Sequence, residues 1–321
     1  FNTDSSQLEI YDGNQWTGIL ATSPEILTGG TRGVLGGGYT PSAWVNTIDY
    51  ITISTTGNAT NFGDLTEPRG DFSGTISSRT RGCFAGGYFP TGQVRYNVID
   101  YVTIASTGDA ADFGDLVQAR NSGAPLSSAT RALYGGGYYP APNRTDMVDY
   151  FTIASTGNAV DYGNLTDATR HAGSCASPTR GIWAGGNINP GFSNHIQYVT
   201  IATTGNAAEF GDLVTARQTP YGASNTIRGC FNHGVSPSYT NAVDYITIAT
   251  LGNAADFGDI TTAVNHTTAV TSATRIVMYG GNNKNEIQYH EIMSEGDFID
   301  FGDLTEARGS CSSCSNGHGG L

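Results

Sequence analysis

The chain has few charged residues and almost no lysine. Charged residues make up 13% of its 321 residues, about half the usual share, and lysine occurs once, at Lys284. The formal net charge is -13, and the basic residues are scattered along the chain. This composition excludes a coiled coil and a charge-driven disordered chain, and it predicts no nucleic-acid partner. No apolar run approaches the roughly 18 residues that a spanning helix needs, so we expect no membrane insertion.

Cysteine is scarce and odd in number. Five Cys cannot form a complete disulfide framework. Cys311 and Cys314 form the one local pair, which is half of a zinc site at best, with a strained disulfide as the alternative. Cys83, Cys175 and Cys230 are expected to be small buried apolar residues.

The chain also lacks the local signatures of catalysis. It contains no Walker loop, no G-x-G-x-x-G, no G-x-S-x-G and no H-E-x-x-H, and its six His residues have no metal-ligand spacing. We therefore expect no enzymatic activity, no metal and no cofactor. An enzyme whose site is assembled from distant parts of the chain is the minor alternative.

Glycine is abundant, at 44 of 321 residues, and it marks an internal repeat. A Phe/Tyr-Gly-Asp/Asn signature recurs every 44–51 residues, a period typical of propeller blades, at Phe62, Phe113, Tyr162, Phe210, Phe257 and Phe301. Each repeat contains four short segments rich in Val, Ile, Thr and Tyr, separated by Gly, Pro and Asn, and no segment has a sustained helical period. The sequence predicts an all-β propeller of four-stranded antiparallel blades.

The two ends of the chain set the predicted number of blades. Complete repeats cover approximately 22–66, 67–117, 118–166, 167–214, 215–261 and 262–305. Segment 6–20 resembles strands three and four, with Trp16 in the position of Phe62, and segment 306–321 resembles strand one and the start of strand two. We expect these two segments to share a seventh blade, which would close the ring and remove an open edge. The predicted fold is one domain over 1–321, a seven-bladed propeller closed by both termini.

Two arginine series recur with the repeat. The first stands at the starts of strand one near the channel mouth, at Arg69, Arg120, Arg170, Arg217 and Arg308. A basic ring for anionic ligands is one interpretation, but a residue in almost every blade is better explained as inter-blade architecture, held by the Asp or Asn five or six residues earlier or by carbonyls.

The second series, in strand two, is predicted to pair with strand-three acids. Its members are Arg32, Arg81, Arg131, Arg180, Arg228 and Arg275, and the acids are Asp49, Asp100, Asp149 and Asp244.

The loops between strands two and three vary in length and are rich in aromatic, Asn and Pro residues. In a propeller these loops emerge on one face, together with the turns between strand four and the next strand one. Aromatic planes beside amides suit a saccharide or a protein partner, and the candidate ligand-binding residues are Tyr39, Trp44, Tyr88, Phe89, Tyr96, Tyr138, Tyr139, Phe192 and Tyr239. The alternative is that these side chains pack onto their own blades.

The repeat resembles the kelch class of propeller. The matching residues are a Gly-Gly doublet that ends strand two, as at Gly86-Gly87 and Gly136-Gly137, then a Tyr in strand three and an aromatic in strand four. There are two departures: Phe or Tyr stands in place of the usual Trp in strand four, and Asn232-His233 replaces the doublet in the fifth repeat.

A longer pattern, Thr-Ile-Ala-Ser/Thr-Thr-Gly-Asn-Ala followed by Phe-Gly-Asp-Leu-Thr and Ala-Arg, resembles propeller repeats of tail-associated virion proteins of marine cyanobacterial bacteriophages. This resemblance implies a non-catalytic structural or adhesion protein in the virion tail or surface. Its implied partners are other virion or filament proteins and a host-surface saccharide. The alternative is an extracellular kelch-like module with a purely structural role in a filament.

Overall fold

The computed structural model describes residues 8–11, 16–19, 31–71, 74–139, 143–282 and 284–321. The chain divides into two compact units, Phe1–Gly30 and Thr31–Leu321. In the first unit, Leu8–Tyr11 pairs antiparallel with Trp16–Ile19 to form a two-stranded sheet.

The second unit is a propeller of six four-stranded antiparallel blades. The inner strand of each blade lies beside the inner strands of the two neighbouring blades, so the blades form a closed ring. From the inner to the outer strand, blade 1 consists of Ser312–Ser315, Arg32–Gly36, Thr47–Thr52 and Thr60–Asp64; blade 2 of Ile76–Ser77, Arg81–Ala85, Val98–Thr103 and Ala111–Asp115; and blade 3 of Ala124–Ser127, Arg131–Gly135, Thr145–Thr152 and Val160–Thr169. Blade 4 consists of Gly173–Ala176, Arg180–Ala184, His195–Thr200 and Ala208–Asp212; blade 5 of Tyr221–Ser224, Arg228–Val235, Tyr239–Thr247 and Ala255–Asp259; and blade 6 of Thr268–Thr271, Arg275–Tyr279, Glu286–Glu291 and Ile299–Asp303.

The predicted count of seven blades is wrong, because the C-terminal strand completes blade 1 rather than a further blade. Ser312–Ser315 pairs with one edge of Arg32–Gly36, and Thr47–Thr52 pairs with the other edge of that strand. The N-terminal strands pair only with each other and belong to no blade. The part of the first predicted repeat before Thr31, which would have held its own strand one, lies outside the described residues.

Each blade buries its second strand on both faces, so the apolar core lies between neighbouring blades. One apolar cluster, for example, combines Ile76 and Ile99 of blade 2 with Ala132 and Phe151 of blade 3. Second strands combine Gly, Ala and Cys with larger apolar residues because each must accept side chains from the next blade. Gly135 illustrates this close approach: a Cβ there would lie 2.8 Å from the ring of Trp183.

The recurring Phe-Gly-Asp signature marks the seam between the outer strand of one blade and the turn of the next. Gly108 and Ala110 of blade 2 donate backbone hydrogen bonds to Phe62 and Asp64 of blade 1, both at 2.8 Å. The glycine of the signature permits this contact, since a Cβ on Gly63 would lie 2.3 Å from the Gly108 carbonyl oxygen. The same seam repeats around the ring.

The ring has two faces, which we name by their connections. The loop face carries the loops between the second and third strands and the connections from each outer strand to the next inner strand. Backbone bridges such as Gly70 to Tyr88 and Asn121 to Tyr138 join these segments. The turn face carries the turns between first and second and between third and fourth strands. The predicted grouping of the aromatic loops on one face is therefore present.

Helical structure is almost absent from the described residues. One 3-10 turn, Thr91–Gln93, lies between the short paired strands Tyr88–Phe89 and Val94–Arg95 of a loop-face hairpin. None of the described residues belongs to a helix with the length and hydropathy needed to cross a membrane.

Candidate binding face

Four buried ion pairs lie near the loop face, each between an arginine that precedes an inner strand and an acid of strand three. Arg308 contacts Asp49 at 2.8 Å, Arg69 contacts Asp100 at 3.0 Å, Arg120 contacts Asp149 at 3.1 Å and Arg217 contacts Asp244 at 3.0 Å. All eight side chains are at most 2% exposed. In three of the pairs the guanidinium also donates to a strand-two carbonyl, as Arg120 does to Tyr134 at 2.9 Å. Four of the five arginines of this series therefore form a structural ladder, and their acids are those of strand three rather than the Asp or Asn five or six residues earlier.

The two remaining blades replace the ion pair with neutral residues. The third strands of blades 4 and 6 carry Gln197 and Gln288, and the arginine position of the ladder is occupied by Thr169 and Val264. The glutamine keeps one function of the aspartate: Gln197 accepts a backbone hydrogen bond from Thr166 at 2.7 Å, as Asp149 does from Val117 at 3.0 Å. Arg170, which we assigned to this series, lies one residue beyond the ladder position.

The strand-two arginines do not pair with the predicted acids Asp49, Asp100, Asp149 and Asp244, so that prediction is wrong. Arg275 pairs with a different strand-three acid, Glu291, at 3.2 Å. Each guanidinium instead stacks on a tyrosine of its own blade, as Arg180 does on Tyr198 at 4.6 Å, and donates to a carbonyl of the next blade, as Arg180 does to Ile248 at 2.7 Å. The same two contacts hold Arg32, Arg81, Arg131, Arg228 and Arg275. These six side chains connect every blade to its neighbour.

Six residues, one per blade, surround the channel mouth on the loop face. All six have left-handed backbone angles, with φ between 55° and 63°: Asp71, Ser122, His171, Thr219, His266 and Ser310. Five of the six donate their backbone N–H to the carbonyl of the neighbouring residue in this set, as Ser122 does to Asp71 at 2.9 Å and His171 does to Ser122 at 2.8 Å. The left-handed backbone angles thus allow backbone hydrogen bonds to connect these loops around the channel mouth.

An acid and two imidazoles converge across this mouth. Asp71 accepts hydrogen bonds from Ser122 at 2.7 Å and from Asn121, and its carboxylate lies 3.2 Å from Nε2 of His171. Burial acts to raise the pKa of Asp71, but His171 and the Ser122 hydroxyl outweigh it, so that pKa is below its ordinary value. The His266 ring lies edge-on to His171 at 6.0 Å, and burial together with His171 lowers the pKa of His266.

Several predicted ligand-binding aromatics pack against one another. Tyr39 and Trp44 have ring centroids 5.5 Å apart, and Trp44 meets Tyr88 edge-on at 6.1 Å. The Trp44 ring also lies over Gly70, where a Cβ would come within 2.3 Å of it. All three side chains are half-buried at the junction of blades 1 and 2.

Tyr138, another of the predicted ligand-binding residues, lies between two guanidinium groups. Arg95 lies 5.3 Å and Arg170 lies 4.5 Å from its ring centroid, and Arg95 also approaches Tyr88 at 5.6 Å. Arg144 pairs with Tyr138 through the backbone, and its side chain donates to Asn187 of blade 4. This side of the loop face is therefore rich in arginine as well as aromatic residues.

The other predicted ligand-binding residues differ in exposure. Tyr139 is 37% exposed and Tyr239 is 51% exposed. Three are half-buried, namely Phe89, Tyr96 and Phe192. The structure thus brings Tyr39, Trp44, Tyr88 and Tyr138 into a continuous row with Arg95 and Arg170.

The opposite mouth of the channel is closed by the C-terminal plug, which we define as residues 316–321. The Gly319 N–H donates to the Ser224 carbonyl of blade 5 at 2.7 Å, and His318 lies 3.0 Å from the Ser77 carbonyl of blade 2. The Gly320 N–H donates to the other ring nitrogen of His318 at 3.1 Å, so the buried imidazole is held neutral, and burial lowers its pKa to about 4. The channel between the two mouths is lined by small hydroxyl side chains, such as Ser224 and Thr271.

All five cysteines are buried and free, including Cys311 and Cys314. Burial raises the pKa of Cys83 and Cys230 to about 12 and that of Cys311 to about 11. Among the described residues, no group of three or more His, Cys, Asp or Glu side chains is placed to hold a metal ion.

Sequence reasoning missed the mouth residues Asp71, His171 and His266. Each stands two residues after the ladder position, which carries Arg69, Thr169 or Val264. The signal was available: aligning the repeats on the aspartate or glutamine of strand three, rather than on the arginines alone, would have placed these three residues at one position.

No protein-family model matches the chain, and no curated protein matches it either. Function is therefore inferred from the fold and from the loop face.

Proposed function

We propose that the protein is a non-catalytic structural or adhesion component of a virion, in a phage tail or fibre. Its loop face would contact a host-surface glycan or a neighbouring virion protein. One observation carries this proposal: aromatic, guanidinium and amide side chains from blades 1 to 4 are collected on a single surface of a closed, rigid ring. The virion context rests on the resemblance of the repeat to phage propeller repeats.

The geometry supports binding because the surface is ordered in advance. The loops are fastened to the ring by backbone bridges and by contacts such as Asn187 to Gln218 at 3.0 Å. A surface that is ordered before binding loses less conformational entropy on contact with a ligand. Exposed tyrosines combine an apolar ring with a hydroxyl group, which suits saccharides and protein surfaces.

Adsorption of the purified protein to host cells or to isolated host surface polysaccharide tests this proposal. We expect Tyr139→Ala combined with Tyr239→Ala to weaken adsorption, since both rings are exposed on the loop face. Leu251→Ala is the matched control, because Leu251 is 57% exposed on the turn face. Equal adsorption by all three proteins, or none by the unmodified protein, would reject the adhesion role.

A second candidate is a structural module that assembles into a filament without binding a host. Apolar side chains at the outer rim favour it: Val160 is 50% exposed and Ile299 is 55% exposed. Native mass spectrometry distinguishes the two roles. Ordered oligomers that Val160→Asp disrupts, together with no adsorption, would favour assembly.

A further inference from the structure

Most of the basic residues have an architectural role, and three of the remaining arginines lie together. Of the fourteen arginines, six connect neighbouring blades and four form the buried ladder. The remaining four are Arg79, Arg95, Arg144 and Arg170. Arg79 is exposed in a turn of blade 2 on the turn face, whereas the other three are grouped around Tyr138 on the loop face of blades 2 to 4. We name Arg95, Tyr138, Arg144 and Arg170 the arginine cleft.

No carboxylate among the described residues neutralises the three guanidinium groups of the cleft. Two of them donate to neutral groups: Arg95 donates to the Asn121 amide oxygen at 3.0 Å, and Arg144 donates to that of Asn187 at 2.8 Å. Arg170 stacks on Tyr138, and its buried Nε has no hydrogen-bond partner among the described residues. Within the described part of the chain, none of the three forms an ion pair with a carboxylate, unlike the ladder arginines.

The cleft opens onto a space large enough for a ligand. An open cavity of about 640 Å³ lies between blades 3 and 4 and is lined by Asn143, Arg144, Asp167, Ala168, Ile188 and Asn189. Its one acid, Asp167, lies 3.4 Å from the imidazole of His195. Arg144 therefore stands at the border between the cavity and the arginine row.

We propose that the arginine cleft binds the anionic groups, carboxylate or sulfate, of an acidic polysaccharide. This inference rests on the proposed adhesion function and specifies its ligand class. Planar guanidinium groups match the two oxygens of a carboxylate or sulfate, and their placement along one side of the loop face suits charges repeated along a chain. In a protein of net charge -13, a local group of cations without a carboxylate partner among the described residues offers a polyanion a favourable electrostatic potential.

Binding of three soluble polymers tests the inference: a polyuronate, sulfated dextran and neutral dextran. We expect the unmodified protein to bind one or both anionic polymers but not neutral dextran, with affinity that falls between about 50 and 300 mM salt. Comparing the two anionic polymers distinguishes a carboxylate ligand from a sulfate ligand.

Charge-removing variants then locate the site. Arg144→Gln combined with Arg170→Gln is expected to lower affinity for the bound polymer at least about tenfold, because charge-assisted hydrogen bonds are lost. Arg79→Gln, which removes one positive charge from the turn face as Arg144→Gln does from the cleft, should bind like the unmodified protein. Arg144→Gln alone, with circular dichroism to verify folding, covers the case in which loss of the Arg170 stacking contact disturbs the loop.

Three results would overturn the inference: no binding to either anionic polymer, an equal loss in Arg79→Gln, or full binding by a folded Arg144→Gln/Arg170→Gln protein. Adsorption to host polysaccharide that persists in the double variant but is lost with Tyr139 and Tyr239 would reject the arginine cleft while retaining the adhesion function. Absence of adsorption in all assays would reject both.

Discussion

At the scale of single residues, the ladder shows how one position accepts a buried ion pair or a neutral pair. Arg120 and Asp149 are both fully buried, and burial raises the pKa of Asp149 while Arg120 opposes that rise. Removing one member of such a pair leaves the other charge buried without compensation, whereas replacing both can be nearly neutral. Blade 4 contains the neutral version, Thr169 with Gln197.

We predict that Arg120→Thr lowers the free energy of unfolding by about 3 kcal/mol, because Asp149 loses its cationic partner. The double variant Arg120→Thr/Asp149→Gln, which copies blade 4, should recover most of that loss, since Gln can still accept the Val117 hydrogen bond. Thermal and urea denaturation of both variants measure the difference. A double variant no more stable than the single one would contradict the equivalence of the two pairs.

The buried His318 predicts a dependence of stability on pH. Its folded-state pKa of about 4 lies below the ordinary value of 6.5, so the unfolded chain binds the proton more readily. The stabilisation of the folded state that depends on a neutral His318 is complete above pH of about 6.5. It is lost as pH falls towards about 4, by up to about 3 kcal/mol. We expect His318→Ala to be less stable than the unmodified protein at neutral pH. Between pH of about 6.5 and about 4, its thermal midpoint should fall by less than that of the unmodified protein.

His195→Ala is the control for that measurement, because the His195 side chain is 55% exposed. It should lose stability with falling pH as the unmodified protein does. An unchanged pH slope in His318→Ala would show that the plug does not hold a neutral imidazole.

The sequence identified the arginines as architectural but not their partners. Both arginine series recur with the same period as the strand-three acids, so periodicity alone fits either pairing. The pairing depends on which side chains the folded blade brings together, as it does Arg308 and Asp49, and linear spacing contains no information on that contact. Arg170 was placed in the wrong series because an arginine one residue beyond the ladder has the same apparent period.

At the scale of the strand and the turn, the contacts between neighbouring blades require glycine at particular positions. Gly163 in the outer strand of blade 3 has a φ of 146°, and a Cβ there would lie 2.5 Å from the Gly205 carbonyl oxygen. Gly157, in a turn of the same blade, has a φ of 153° but nothing within 4 Å of the added Cβ. The two glycines therefore share a conformation and differ in their surroundings.

We predict that Gly163→Ala destabilises the propeller by at least about 2 kcal/mol more than Gly157→Ala. Both variants introduce unfavourable backbone strain, but the first also forces neighbouring blades apart. Chemical denaturation of the two variants gives the difference directly. Equal losses would show that the recurring glycine of the Phe-Gly-Asp signature is required for its backbone angle alone.

The strands themselves were predictable because their composition and the glycine punctuation recur six times. The second strands end at the expected doublets, as at Gly136-Gly137, where both residues have positive φ. The fifth blade differs: Asn232 and His233 extend its second strand, and His233 contacts Thr267 of blade 6. That substitution was visible in the sequence, but the contact it makes in the neighbouring blade was not.

At the scale of the whole molecule, the number of blades could not be obtained from chain length. The hairpin Leu8–Tyr11/Trp16–Ile19 has the strands expected of an outer half-blade, and its sequence pattern alone cannot show which sheet it joins. The deciding contact is that of Arg32–Gly36 with Ser312–Ser315, which completes blade 1 without the hairpin. The six-bladed ring is therefore built entirely from residues 31–321.

We predict that a variant lacking residues 1–30 retains the propeller, with a thermal midpoint within about 3 °C of the full chain, because no blade strand is lost. A variant lacking residues 312–321 should instead be insoluble or aggregate, because Arg32–Gly36 becomes an open sheet edge and the plug is removed. Size-exclusion chromatography and thermal melting compare the two. A soluble, cooperatively melting protein without 312–321 would contradict closure by this strand.

Because Ser312–Ser315 follows all the other blade strands in the chain, the ring cannot form vectorially during synthesis. Blades 2 to 6 can fold in order as they leave the ribosome, but blade 1 keeps a vacant inner position until the segment around residue 312 emerges, some 280 residues after Arg32. A nascent chain therefore exposes a pairing edge throughout synthesis of the residues between Arg32 and Ser312.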